Sequence, residues 1–367
     1  MLKLHVIQAR YGDCLLLEYG PGVQQHFMLI DGGPPKTFDD DLMDVLNSVV
    51  GEGGRLGRVV LSHIDNDHIV GLVDLFSEMR RQRADGETEL VSVGGLWHNS
   101  FAKAIDPQGL VAPRMMALAG IAGVASTMDH AGAAINGISE GNKLRQLALL
   151  LQIPINSGMA ELITVDSVPA SKMVDGLKVT IVGPTQENLD QLRADWEAWL
   201  DAHEEEIAIG DPQTLANLDK TVPNLSSISF VTEMDSKTIL FTGDARSDHV
   251  RAGLAAQGLL DGNGAAHFDV LKLPHHGSDR NIDRAFFDKI TADRYVISAN
   301  GRDGNPDLKT LLWLVDAAHA DGRSPEIILT NQTDSSKQLV AQRKPSTHGY
   351  KLTVLKAGKH SITLELA

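Results

Sequence analysis

The stretch Arg58-Val-Val-Leu-Ser62-His63-Ile-Asp65-Asn66-Asp67-His68, continuing into IVGLVDLFSEM, constrains the fold more than any other part of the chain. A short apolar run breaks into a polar loop, and the loop opens a segment whose apolar residues recur at helical spacing. Buried strands that alternate with helices and end in polar residues are the pattern of an α/β fold. The rest of the chain keeps this rhythm. Residues 1–31 give strand signals in LKLHVI, CLLLEYG and QHFMLID, the last closing on Asp31-Gly32-Gly33, where the backbone turns sharply. Residues 39–50 read as a helix with Leu42, Val45, Leu46 and Val49 on one stripe. VGGLWHNS, LKVTIVGPT, SSISFVTE, KTILFTGD, FDVLKLPHH, RYVISAN and HSITLEL read as further strands, and LKTLLWLVDAAHA as a helix.

Two stretches depart from that rhythm. Residues from about 101 to 165 are rich in Ala, Met and Leu and read as a helical insertion, either a lid over a site or a structural cap; residues 186–222 read as an acidic helical insertion. No fixed-period repeat or biased linker divides the chain, so residues 1–367 are expected to form one domain with two insertions. Apolar residues at 43% and charged residues at 22% exclude a disordered or collagen-like protein. Cys14 is the single cysteine, which excludes an intramolecular disulfide. No apolar run approaches the ~20 residues that cross a bilayer. The opening MLKLHVIQARYGD alternates like a strand instead of following a secretion-signal layout, so a cytoplasmic protein without a membrane partner is expected. Nothing in the sequence sets an oligomeric state. The 48 acidic residues against 33 basic ones, a net charge of −15, argue against a protein that coats nucleic acid over its whole surface. A local basic approach is still available, because Lys272, Arg280, Arg284 and Arg302 lie close in sequence to the candidate site residues.

The chemistry is concentrated in His63, Asp65, Asp67 and His68. In an extended loop the first three alternate to one side, and His68 opens the helix, so four side chains of types that Zn, Mn and Fe accept can converge on a small volume. A helix cap would account for one of the acids but not for two acids bracketed by two histidines. Asp244, after the strand KTILF, is placed to bridge two ions, and His275-His276, after FDVLKL, add imidazoles at another strand end. Asp13 and Asp31 are expected to hold the site's loops, His98 to approach the site or its substrate, and Lys272 to serve either as a strand residue or as a phosphate contact. His249 and the remaining histidines read as surface or helix positions. GEGGRLG reads as a plain turn, because no Gly-Lys-Ser/Thr follows it.

Taken in order, these pieces resemble the metallo-β-lactamase-fold hydrolases, whose signature is a His-x-His-x-Asp-His loop, a later bridging Asp and a last His. More narrowly, the chain is similar to the hydrolase domain of the competence protein ComEC, which writes the loop as His-x-Asp-x-Asp-His and later carries Leu-Lys-Val-x-His-His-Gly-Ser. Here the two motifs stand as His63-Ile-Asp65-Asn-Asp67-His68 and Leu271-Lys-Leu-Pro-His275-His276-Gly277-Ser278. The resemblance covers about residues 1–100 and 177–365. It implies a four-layer αββα sandwich with one or two divalent ions at one edge of the paired sheets. It implies His63, Asp65, Asp67, His68, Asp244 and His276 as metal ligands, with His276 preferred to His275.

The middle histidine of the loop is Asp65, and Gly183-Pro184-Thr185 stands where a further histidine would follow a strand. An oxygen-rich ligand set favours Mn or Mg over Zn, so Mn or Zn is expected. An ion at Asp67, His68, Asp244 and His276 would bind tightly, and one near His63 and Asp65 more weakly. A turn that carries a histidine in the competence group reads here Ser298-Ala-Asn300-Gly-Arg302-Asp-Gly-Asn305-Pro306, with Asn305 in the histidine's place.

The resemblance implies a hydrolase acting on a phosphodiester, a nucleic acid or a small nucleotide. Asp67 would orient a metal-activated hydroxide, and His275, Lys272 or Asn300 would meet the non-bridging oxygens. Hydrolysis of an ester, thioester or lactone at the same site, and a non-catalytic scaffold on a decayed hydrolase fold, are the alternatives.

Overall fold

The computed structural model describes residues 1–21, 24–104, 106, 108, 109, 130–202 and 226–366. Alternation in the first residues builds a hairpin: Leu2–Ile7 (β1) pairs antiparallel with Leu15–Tyr19 (β2), Leu4 opposite Leu17. His26–Ile30 (β3) adds antiparallel to β2, and Arg58–Val60 (β5) then adds parallel to β3. The two-residue strand Leu96–Trp97 (β7) extends the parallel side, and Ser361–Leu366 (β16) closes the other edge on β1. The first sheet therefore runs β16-β1-β2-β3-β5-β7. Gly54–Leu56 (β4) and Val91–Val93 (β6) form a small separate pair.

The second sheet has eight strands. Lys172–Val174 (β8), Leu177–Gly183 (β9), Ser229–Met234 (β10) and Lys237–Phe241 (β11) run antiparallel to one another. Ala266–Lys272 (β12), Ile290–Ile297 (β13), Glu326–Leu329 (β14) and Lys351–Val354 (β15) follow in parallel, giving the order β15 to β8. In a parallel run every strand ends at the same edge of the sheet. The residues after β11, β12 and β13 are therefore brought together without being adjacent in sequence.

The period of two along each strand divides the apolar residues between two faces. Ile239 and Phe241 of β11 face the first sheet and pack with Leu17, Met28, Val60 and Trp97 in one cluster. Leu240 points the other way, toward Val250, Leu254, Phe286, Leu311 and Leu339 on the helices Ser247–Ala256, Arg284–Lys289, Leu308–Ala320 and Asp334–Gln342. The first sheet divides in the same way. Leu16, Leu29 and Val59 face Leu72 and Phe76 of the Asn66–Asp85 helix and Leu144 and Leu147 of the His130–Leu150 helix.

Most expected elements are present, with four differences. The 39–50 helix is a composite in which π-type turns at Phe38–Leu42 and Leu46–Val50 flank Met43–Val45. The helix after the polar loop starts at Asn66, ahead of His68. The strand around VGGLWHNS shrinks to two paired residues, because Gly94-Gly95 separates β6 from β7. The sequence reading missed β4, which lies within the GEGGRLG read as a plain turn, and β8, β14 and β15, all runs of only three or four residues. The expected first insertion appears as one turn at Phe101–Ala104 and the His130–Leu150 helix, with residues 110–129 outside the described residues. The second appears as the helix Gln186–Ala202, with 203–225 outside them. Among the described residues no helix is long and apolar enough to cross a membrane.

Glycines set the closest helix–sheet approaches. A Cβ on Gly253 would lie 1.7 Å from the Val182 carbonyl oxygen, and one on Gly71 would lie 1.9 Å from that of Gly32. Both obstacles are backbone, so neither can swing aside. Gly253→Ala is expected to lower the unfolding free energy by about 1–3 kcal/mol, overpacking outweighing the ~1 kcal/mol gain in helix propensity. Gly262→Ala, in open space, serves as the control, and urea midpoints compared at constant m would show the difference.

Candidate metal centre

Asp31, Asp244 and the His275-His276 pair follow strand ends, whereas Asp67 and His68 lie in the first turn of the Asn66–Asp85 helix. Asp31 follows β3 with φ at +57°, a left-handed position that Asp tolerates. Its two oxygens take Ser62 N at 2.7 Å, Ser62 Oγ at 2.8 Å and His68 Nδ1 at 2.9 Å. The 62–68 loop is thus latched to β3. Asp65 occupies the helix N-cap position in extended conformation, yet its side chain makes no capping hydrogen bond. The carboxylate stands 3.7 Å from His63 Nε2 instead.

The late loop is more contorted. His275 and His276 both have left-handed backbones, φ +44° and +54°, which costs on the order of 1–3 kcal/mol each. His275 N donates to Gly243 O at 3.2 Å, and Ser278 N donates to His275 O at 2.9 Å, so the reversal is fixed at both ends. Its product is a pair of imidazoles on one carboxylate: His275 Nε2 and His276 Nε2 lie 3.7 and 3.8 Å from Asp244 Oδ2.

Distances between the groups define a small polyhedron. Asp67 Oδ2 is 3.2 Å from His276 Nε2 and 3.9 Å from His68 Nε2; Asp244 Oδ1 is 3.3 Å from His68 Nε2. Ligands about 2.0–2.1 Å from a tetrahedral ion stand roughly 3.3–3.4 Å apart, so these edges fit a metal better than a set of direct hydrogen bonds. The buried atoms His68 Nε2, His63 Nε2 and Asp244 Oδ1 have no hydrogen-bond partner, which a buried polar atom ordinarily requires. A divalent cation beside His68 and Asp244 would satisfy two of them, and a second beside His63 the third.

Asp13, His68, Asp244 and His276 likewise each offer a ligand atom within 4.8 Å of the others, and all four are buried. Asp13 is the residue that the sequence reading placed as a loop holder. The two nitrogens of each imidazole point in divergent directions, and that separates its role from that of Asp67. His276 turns Nε2 to Asp67 and Asp244, and Nδ1 to Asp13 Oδ1 at 3.4 Å; His68 turns Nε2 to Asp244, and Nδ1 to Asp31. Asp13 and Asp31 therefore sit behind the rings as orienting carboxylates, an arrangement common around metal-bound histidine. His63 follows the same plan with hydroxyls, its Nδ1 lying 3.0 Å from Ser62 Oγ and 3.2 Å from Ser227 Oγ.

The charges are held apart by local partners. Burial penalises charge on His276, yet Asp244, Asp13 and Asp67 override it and push the imidazole up to about 10. His68 is raised in the same sense, by Asp244, Asp67 and Asp31 against burial. Asp244 is held well below the usual carboxylate range despite burial, by His68, His275 and His276.

Two other expected site residues, Lys272 and His98, have different surroundings from those a substrate contact requires. Lys272 is 1% exposed, with Nζ 2.5 Å from Asp13 Oδ2 and 2.9 Å from Leu273 O. This corrects its reading as a substrate contact, because the ammonium is used up as the counter-ion of Asp13. His98 is 1% exposed, and its ring nitrogens lack partners; burial and then Arg145 lower it to about 3. It is a neutral core histidine. Gly183-Pro184-Thr185 begins with a cis peptide bond and contributes no ligand. His249 is half-buried beside Asp248 on its own helix.

No family model and no curated protein matches the chain. Among solved structures, a crystal structure described as a new diphosphatase from the PhnP family aligns over 100% of this chain and 98% of its own, at 12% identity and a TM-score of 0.40. A Cap4 SAVED/CARF-domain receptor from Acinetobacter baumannii, with the cyclic trinucleotide 3'3'3'-cAAA, aligns over 97% of this chain and 63% of its own, at 11% identity and a TM-score of 0.14. At those scores neither likeness bears weight.

The Lys272–Asp13 pair gives a test of the scaffold that is independent of turnover. Lys272→Met strands a buried carboxylate and is expected to cost about 3–5 kcal/mol, whereas Lys272→Met with Asp13→Leu recovers most of it. Denaturant unfolding of the metal-free proteins measures both; equal losses in the single and double variants would remove the pair from this role.

Proposed function

We propose that the chain is a metal-dependent hydrolase of the metallo-β-lactamase type that acts on phosphodiester bonds. The observation that carries the reading is the closure of Asp67 Oδ2, His68 Nε2, Asp244 and His276 Nε2 at 3.2–3.9 Å, with the far nitrogens of both rings turned to Asp31 and Asp13. The three apolar clusters, one between the large sheets and one on each outer face, support the four-layer αββα arrangement of that fold. The motif order supports a kinship with the competence hydrolases.

In this reading Asp67, His68, Asp244 and His276 hold the tighter ion, and His63 and Asp65 with Asp244 hold a second, weaker one. Carboxylates are hard donors, and so many of them favour Mn over Zn. A divalent ion bound here supplies Lewis acidity and lowers the pKa of a water so that hydroxide is available near neutral pH. The remaining work falls to side chains of this chain. Asp67, half-buried on the open side, orients the nucleophile. His275 is the half-exposed imidazole of the pair, and its Nδ1 lies 2.7 Å from Asn281 Oδ1. That amide oxygen accepts from Nδ1 and leaves Nε2 beside Asp244; in the neutral ring Nε2 is then an acceptor that can take a proton from the nucleophile, and only the imidazolium would donate to a substrate oxygen. Lys272 and Asp13 act at one remove, fixing the His276 ring. The net charge of −15 favours a small nucleotide-type diester over a long nucleic acid.

Elemental analysis of the purified protein, with Mn and Zn compared on bis(p-nitrophenyl) phosphate, tests the reading. Asp67→Ala is expected to lower kcat/KM by at least about a hundredfold and to leave the metal-free unfolding midpoint nearly unchanged. Tightly bound metal with no turnover of any phosphodiester or ester would instead identify a non-catalytic binding protein.

A further inference from the structure

Tyr11 and Arg302, which come from opposite ends of the chain, meet beside Asp67. The Arg302 guanidinium carbon stands 4.2 Å from the centroid of the Tyr11 ring. Tyr11 is half-buried and Arg302 is exposed. The backbone that follows Tyr11 is held close to Asp67: a Cβ on Gly12 would lie 1.9 Å from Asp67 O, and Asp13 N donates to the same oxygen at 3.2 Å. Burial raises the Tyr11 phenol; Arg302 opposes this rise, and Asp67 adds to it, so both are within electrostatic reach.

The loop that carries Arg302 is pinned on both sides of the site. At its start Ser298 Oγ donates to Gly12 O at 2.6 Å. At its end Asp307 N donates to Gly277 O at 3.1 Å, and Pro306 packs where a Gly277 Cβ would fall, 2.8 Å away. Within it Arg302 N donates to Asn300 Oδ1 at 3.0 Å and Gly304 N to Gly301 O at 3.2 Å. The loop therefore arches from the Tyr11 side of the cleft to the His275–Gly277 side, with Arg302 on the arch. Three other cations of this region are engaged elsewhere: Lys272 on Asp13, Arg246 on Asp248 and Lys309 on Asp279.

We propose that Arg302, splinted on the Tyr11 ring, is the clamp that takes a non-bridging phosphate oxygen of the substrate at the mouth of this site. The guanidinium over the ring also hydrogen-bonds the Tyr11 phenol, and its remaining N–H donors form a fork that matches two oxygens of a phosphate. Such a clamp meets a specific need. Asp65, Asp67 and Asp244 repel an approaching anion, and a fixed cation at the rim offsets that repulsion and sets the substrate's orientation. The substrate class is thereby a phosphodiester or nucleotide anion, with neutral esters lacking the group that Arg302 grips. The inference rests on the hydrolase reading above.

The test measures phosphate binding as well as turnover. Inorganic phosphate is titrated calorimetrically into the Mn-loaded wild type, Arg302→Ala, Arg302→Lys and Tyr11→Leu, and KM and kcat are taken for bis(p-nitrophenyl) phosphate. Arg302→Ala is expected to weaken phosphate binding and raise KM together, by about ten- to hundredfold, the range for hydrogen bonds to a charged group. Arg302→Lys recovers part of the loss, because charge returns without the fork, and Tyr11→Leu loses several-fold by unseating the guanidinium. Phosphate affinity and KM within twofold of wild type in Arg302→Ala would overturn the clamp. A wild type that turns over no phosphodiester but binds phosphate through Arg302 removes the catalytic reading and keeps the clamp; one that neither turns over nor binds removes both.

Discussion

Asp13, Asp31, Asp65, Asp67 and Asp244 converge on one end of the sheets, three of them almost wholly buried, and their mutual repulsion must be balanced before the rest can pack. One ammonium, Lys272, is committed to Asp13. Asp31 is satisfied by a backbone amide, a hydroxyl and an imidazole. What remains is carried by His68 and His276, whose raised proton affinity measures the local deficit of positive charge. Buried carboxylates in such numbers persist only where paired or metal-bound, so the fold and its chemistry share one electrostatic condition.

Two rings of contacts meet that condition. The inner ring holds His63 Nε2, His68 Nε2 and Asp244 Oδ1, which have no hydrogen-bond partner, beside the His276 Nε2–Asp67 Oδ2 pair; the outer ring of Asp31, Asp13, Ser62 and Ser227 stands against the far nitrogens of the imidazoles. Placing the orienting groups on β3, the β1–β2 turn and the approach to β10 ties the site to both sheets. Ile228 N on Ser62 O, at 2.9 Å, joins the sheets at the same edge. The His130–Leu150 helix adds a third support: a Cβ on its Gly137 would lie 2.6 Å from Ile64 O, so that helix rests directly on the ligand loop.

For the acidic chain to take the proposed anionic substrate, the charges are reconciled at the rim instead of in the interior. A cation buried in the cleft would be consumed by carboxylates, as Lys272 is. One held on an aromatic ring at the mouth keeps its remaining N–H donors for a ligand, and the Tyr11–Arg302 pair is built in that way.

The sequence by itself determined the α/β alternation, the polar strand tips and the identity of the residues that gather there. Each of these is a local matter of apolar period or of residue type beside a strand. His63, Asp65, Asp67 and His68 were legible because they fall in one short loop, and Asp244 and His276 because each follows an apolar run. The roles of Asp13 and Lys272 were decided only by tertiary structure. A lone acid in a turn and a lone lysine ending a strand carry no signal until the two sheets bring them within 2.5 Å. The same holds for Tyr11 and Arg302, 291 positions apart (302 − 11), and for β14 and β15, whose short runs become strands only by pairing with β13 and with each other. Period and residue type are written locally; the partner of a charge is a property of the fold.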